Sequence, residues 1–188
     1  MLVGHMTPNI IRFTYHQEKG DPGYGSCVWA HFDFDVDNYD LSIHSDCGSY
    51  GYGWCITPSE PFLELMARIG DDYLLRKMCR ESLCDWEATK ESIIETLRER
   101  DDLDEDEVAS AIESLEALDA DYDLESSPGA TSVLVENWNE ENCRLDDIWE
   151  YVKTTYTADE KKIVQVFRDY IQPAIRKFLE EYRKAVQA

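Results

Sequence analysis

Basic residues are scarce in this 188-residue chain: 18 lysines and arginines stand against 40 aspartates and glutamates, for a net charge of −22. A field of that sign repels nucleic acid and anionic membrane surfaces, and it speeds encounter with basic partners. Long apolar runs are missing too. Nothing approaches the roughly 20 residues needed to cross a bilayer. The N-terminal stretch lacks the apolar segment and basic flank that direct export, so a cytoplasmic protein is expected, with Met6 as its native start. No CxxC pair occurs. The six cysteines, Cys27, Cys47, Cys55, Cys79, Cys84 and Cys143, do not read as a disulfide framework in a chain this long, and free thiols are expected. There is no G-x-S-x-G, no P-loop and no H-E-x-x-H. No catalytic residue is assigned, no cofactor is expected, and the chain reads as a non-enzymatic protein.

What is present points to a folded domain. Hydrophobic residues make up 43% of the chain and aromatics 12%, enough for a real core at this length. The organising stretch runs from Gly25 to Thr57. Phe32, Phe34 and Val36 alternate with Asp33, Asp35 and Asp37. Leu41 and Ile43 alternate with Ser42 and His44, and Tyr50, Tyr52 and Trp54 with Gly51, Gly53 and Cys55. Period-two alternation bounded by Asp37-Asn38 and Asp46-Cys47-Gly48 predicts a half-buried antiparallel meander. Ile10 to Tyr15 adds a further strand by its β-branched and aromatic content. The bare Gly51 and Gly53 suggest close packing on one face of the last strand.

After Thr57 the period changes to that of helices. Apolar stripes predict helices over residues 62–69, 73–78, 86–100 and 105–118, the third capped by Asp85 and the last opened by an Asp104/Glu107 capping box. An acidic loop is expected from Asp119 to Gly129, then two short helices over 131–152. A final helix starts near Asp159, and Pro173 should kink or restart it. The sum is an α+β protein: an N-terminal antiparallel four-stranded sheet (1–57) followed by a mostly helical part (58–188), packed as one compact unit.

The acids are not spread evenly. From Glu99 to Glu125 there are thirteen, with Arg100 the only base. Strand residues two apart lie about 6.6 Å apart, so Asp33, Asp35 and Asp37 would form a row of negative charge. Such a row can enter a basic groove built for phosphates. The candidate partner-binding residues are these three with Asp101, Asp102, Asp104, Glu105, Asp106, Glu107, Asp119, Asp121 and Asp123. Solvated acidic faces, and acids that complement a helix N-terminus, are the plain alternative. The run from Asp102 to Glu113 also matches an EF-hand loop at positions 1, 3, 5 and 12. Position 6 is Glu107 where a glycine is needed, so the capping box is the better reading. Cys27, Cys47 and Cys55 with His31 or His44 can converge across the meander, but buried thiols and surface imidazoles are the commoner outcome, and no metal site is assigned. Tyr50, Tyr52 and Trp54 read as core, not as a base-stacking platform, since the surrounding acids oppose a phosphate backbone.

The pattern Trp29-Ala-x-Phe-x-Phe-x-Val-Asp-Asn-x-x-Leu-Ser-Ile-x-Ser-Asp-Cys-Gly-Ser-Tyr-x-Tyr-x-Trp54, with Glu60-Pro-Phe-Leu-Glu-Leu and Asp72-Tyr-Leu-Leu-x-Lys-Met78, resembles small acidic proteins encoded by bacteriophages and prophages. In size and acidity the chain is also similar to the type II-A anti-CRISPR proteins. That resemblance implies residence in the bacterial host cytoplasm. It also implies binding to a CRISPR type II effector nuclease carrying its guide RNA, with target-DNA binding or cleavage blocked. The effector holds nucleic acid in a positively charged channel, for which a carboxylate-rich face can compete. No direct nucleic-acid or membrane contact is expected, and a homodimer is compatible with the apolar helices. The alternative is a non-enzymatic phage regulatory protein bound to another basic host protein.

Overall fold

The structure is a computed structural model and describes residues 9–21, 24–55, 61–121, 124 and 127–187, with only the backbone at 119–121 and 187. Its strands are β1 (Ile10–His16), β2 (Trp29–Asp35), β3 (Asp40–Ser45), β4 (Gly48–Gly53), β5 (Leu83–Cys84) and β6 (Thr154–Thr155). Its helices are α1 (Phe62–Met66), α2 (Asp71–Met78), α3 (Trp86–Arg98), α4 (Glu105–Asp121), α5 (Pro128–Asn142), α6 (Ala158–Val166) and α7 (Gln172–Gln187), with a 3-10 turn at Ile148–Tyr151 and a π turn at Phe167–Ile171. The expected α+β class and the N-terminal sheet are both present. The sheet is antiparallel throughout, in the order β1-β2-β3-β4.

The chain divides into two compact units, 1–80 with 158–188, and 81–157. This differs from the expected partition at residue 58. The sheet shares its unit with α1, α2 and the last stretch of the chain, so the second unit is an insertion between residues 80 and 158.

In the first unit, the register pairs Phe32 with Ile43 and Phe13, and Phe34 with Leu41 and Ile11. Period two therefore gathers the apolar residues on one face, where Ala30, Phe32, Phe34, Leu41 and Ile43 are buried. Helical aromatics cover that face. Phe167 lies 5.9 Å from Phe32 and 6.5 Å from Phe34, Phe62 lies 6.3 Å from Phe34, and Phe178 lies 6.2 Å from Phe13 (ring centroids). Phe62 and Phe167 are fully buried, and each stabilises the fold by about 1.5–3 kcal/mol through burial; Phe178 stays partly exposed. Gln172 donates from Nε2 to the carbonyls of Met66 (3.1 Å) and Ile69 (2.8 Å), and Arg176 donates to that of Ala67 (2.8 Å). These bonds satisfy carbonyls left open at the end of α1. Pro173 does not break the last helix. A proline lacks an N–H and crowds the carbonyl four residues back; the wider π turn over Phe167–Ile171 precedes it, and the helix runs on. Packing on the two strand glycines is loose at Gly51, where a Cβ would meet nothing nearer than 3.8 Å, and closer at Gly53, where it would lie 3.4 Å from Asp40 Oδ2 of β3. Gly48 is the glycine the hairpin requires, with φ +116° and a Cβ position only 2.8 Å from Tyr50 Oη.

In the inserted unit, Trp86, Ile93 and Leu97 of α3 pack with Ala111 and Leu115 of α4, Val135 and Trp138 of α5, and Ile148. Its ends lie side by side: β5 pairs antiparallel with β6, and Asp85 donates its N–H to Lys153 O (2.9 Å). The expected caps form. Asp85 accepts from Ala88 N at 3.1 Å, while Asp104 and Glu107 exchange reciprocal bonds at 2.8 and 3.0 Å. One segment departs from expectation. The Ser127-Pro128-Gly129 run is the start of α5, not a loop end: Ser127 caps it (3.4 Å to Ala130 N) and Pro128 takes the first turn, where its missing N–H costs nothing. The helix thus begins three residues before the 131–152 span and is a single long one, followed by the 3-10 turn.

Candidate binding surfaces

The sheet face turned away from the helices carries the first group of predicted residues. Asp33 lies opposite Arg12 in the register, and Arg12 donates from Nε and Nη2 to its two oxygens at 2.5 and 2.6 Å. The guanidinium holds the Asp33 carboxyl below its usual range. Asp35 ends β2 and accepts from the side chain (2.8 Å) and N–H (3.0 Å) of Asn38 and from Asp37 N (3.1 Å), which lowers its pKa as well. Asp37 sits in the following turn and accepts from Asn9 Nδ2 at 2.9 and 3.0 Å. The three carboxylates are therefore not a straight free row: one is ion-paired, one closes a turn, and one lies past the end of the strand.

The second group behaves differently. Asp101, Asp102, Asp104, Glu105, Asp106 and Glu107 are all exposed at the entry to α4. Asp102 is paired with Arg100, which also donates to Cys143 O at 2.8 Å. Asp104 and Glu107 cap the helix. Asp101, Glu105 and Asp106 make no ion pair among the described residues. Asp119 and Asp121 lie on the described helical backbone, and Asp123 lies outside the described residues.

Partition of charge between the units is the larger finding. The inserted unit, 81–157, holds 24 acidic and 5 basic residues, net −19, whereas the first unit holds 16 and 13, net −3. Arginines of the first unit neutralise its own acids: Arg168 pairs with Asp71 and Asp169, and Arg183 with Glu64, all at 2.7 Å. On α3 and its C-cap, Glu87, Glu91, Glu95 and Glu99 are exposed at four-residue intervals, about 6 Å apart along the axis. Glu87 pairs with Lys90 at 2.8 Å; Glu91, Glu95 and Glu99 make no ion pair among the described residues. With Glu116 of α4, the first three line an open groove of about 440 Å³ that also holds Lys90, Ile94 and Arg98. Sequence reading missed this stripe. Its signal is glutamate at every fourth position, which on its own also fits the ordinary solvated face of an amphipathic helix.

One group of potential metal ligands forms among the described residues. Ligand atoms of Cys27, Asp46 and Cys47 lie within 4.8 Å of one another. Cys27 is buried before β2 and Cys47 is buried in the β3–β4 turn, whereas Cys55 is exposed. The expected convergence thus includes two of the three cysteines, with Asp46 in place of a histidine. His31 and His44 instead pack against Trp29, at 5.4 and 5.2 Å.

Fold and charge together define an α+β protein that carries an acidic helical insertion. Residues 9–177 match a family model, Phage_phiTE_072, described as a phage family, and the chain belongs to that family. The matched range runs through both units, so the acidic insertion lies within it. No curated protein and no solved structure matches the chain.

Proposed function

We propose that this phage protein is a non-enzymatic inhibitor that occupies a basic, nucleic-acid-handling surface of a host protein through its acidic inserted unit. The target placed first is a CRISPR type II effector nuclease loaded with guide RNA. The observation that carries the reading is the exposed glutamate stripe on α3. Like charges four residues apart destabilise a helix by roughly 0.2–0.5 kcal/mol per pair, and Glu95 and Glu99 also sit at the negative end of the helix dipole. Solubility does not require that arrangement, whereas a basic groove favours it. Membership of a phage family supports action inside a bacterial host. No helix among the described residues is long and apolar enough to cross a membrane.

The test is target-DNA cleavage by a guide-loaded type II effector, with the protein titrated before or after the DNA. Inhibition only on prior addition, lost in a Glu91→Gln/Glu95→Gln/Glu99→Gln variant, is the expected result. No inhibition at any ratio across several effectors removes that target, and full inhibition by the neutralised variant removes the acidic surface.

A second reading is a phage regulatory protein that binds another basic host protein. It is favoured by α7, where Tyr182 and Val186 are 61% and 69% exposed at four-residue spacing. It predicts that Tyr182→Ser with Val186→Ser abolishes partner binding while the glutamate variant binds normally.

A further inference from the structure

Cys27 and Cys47 come from separate loops, and each is held in place by its backbone. Cys27 adopts φ +60°, a left-handed conformation that a cysteine rarely takes. Asp46 accepts from Val28 N at 2.8 Å and Trp29 N at 3.2 Å, which pins the turn before β4 against the start of β2. Tyr50 Oη donates to Cys47 O at 2.5 Å and fixes the other side of that turn. The result is two thiols and a carboxylate converging within 4.8 Å, in a chain whose other described acids and cysteines form no such group.

We propose that Cys27, Cys47 and Asp46 form a binding site for a thiophilic divalent cation, zinc by preference, which clips the loop before β2 to the β3–β4 turn. Two thiolates select zinc over calcium or magnesium. Tetrahedral zinc, with Zn–S near 2.3 Å and Zn–O near 2.1 Å, places its ligand atoms roughly 3.5–3.8 Å apart. The three groups therefore need to close by about 1 Å at most. Each coordinating thiol gives up its proton to solvent as the metal binds. Burial raises the pKa of both thiols, and the hydrogen bond between them raises that of Cys27 further while it lowers that of Cys47. A fourth position stays open to water.

The full chain, purified without chelators, is assayed for zinc by elemental analysis, and the reduced metal-free chain is titrated with Co²⁺. About one zinc per chain and a thiolate-to-cobalt charge-transfer band are expected. Cys27→Ser and Cys47→Ser should each weaken binding at least tenfold, Asp46→Asn should weaken it with the band retained, and Cys55→Ser should leave it unchanged. Absence of both zinc and the band in the unmodified chain overturns the proposal, whether or not the variants fold. Undiminished Co²⁺ binding in both cysteine variants overturns it as well.

Discussion

Arg12 and Asp33 face each other across the β1–β2 pair and share two hydrogen bonds, at 2.5 and 2.6 Å, on the open side of the sheet. The folded-state pKa of Asp33 is depressed, chiefly by the Arg12 hydrogen bond. Its contribution to stability is therefore complete above the unfolded value of about 4 and is lost as pH falls through the lower folded value. Asp33→Asn should be less stable than the parent at neutral pH, and the difference should shrink towards zero as the medium is acidified below pH 4. Urea unfolding at pH 7, 5, 4 and 3 checks this. A difference that stays constant with pH would mean that the ion pair contributes nothing.

Leu115 is fully buried among Trp86, Ile93 and Leu97 in the inserted unit. Leu115→Ala should cost about 2–5 kcal/mol, as large-to-small changes do where neighbours cannot collapse into the space. Chemical denaturation followed by helical circular dichroism measures it. A loss below about 1 kcal/mol would show a loosely packed insertion.

The sheet was legible because period two and turn chemistry agree at every strand: the alternation of Phe32 and Phe34 with Asp33 and Asp35 sets both the face and the register. The caps at Asp85 and Asp104 were legible for the same local reason. Two things were not. The insertion is defined by long-range contacts such as Gln172 with Met66, 106 residues apart, which no local pattern encodes. The start of α5 was hidden because Ser-Pro-Gly is turn chemistry and helix-start chemistry alike. Among the site residues, an acid row was visible on the strand, but partners such as Arg12, brought in by the register, neutralise it. The Cys27–Cys47 approach was one of several convergences the sequence allowed, and the pairing of loops selects it.

Asp104 has two roles that substitution can separate. Its side chain accepts from Glu107 N at 2.8 Å, and its charge adds to the acidic entry of α4. Asp104→Ala should destabilise the protein by about 1 kcal/mol through loss of the cap, whereas Asp104→Asn, which still caps, should be near neutral. Thermal melts distinguish them. Equal destabilisation by both would indicate that charge, not capping, is what the position supplies.

Thiol reactivity should follow burial and pKa. Cys55 is exposed, Cys79 is half-buried, and Cys27, Cys47, Cys84 and Cys143 are buried. Burial, with a contribution from Glu160, pushes the Cys79 thiol up to about 12, so its nucleophilic thiolate stays rare through pH 9. Timed iodoacetamide labelling read by mass spectrometry should show Cys55 modified first, Cys79 slowly, and the remaining four only on unfolding. Early modification of Cys27 or Cys47 would show that their loops open.

The glutamate stripe makes the sharpest separation between stability and function. Changing Glu91, Glu95 and Glu99 to glutamine removes three like-charge i,i+4 contacts, counting that of Glu91 with Glu87, and leaves the Glu87–Lys90 pair intact. Glutamine matches glutamate in helix propensity. The three contacts together oppose the helix by about 1 kcal/mol at low salt, so the variant should melt roughly 2–4 °C higher. The gain should fade as salt screens the charges. If the stripe is a binding surface, the same variant loses partner binding while it gains stability, an outcome that damage to the fold cannot imitate. A variant that is less stable than the parent would mean that these glutamates have stabilising partners and that the stripe carries no cost to the helix.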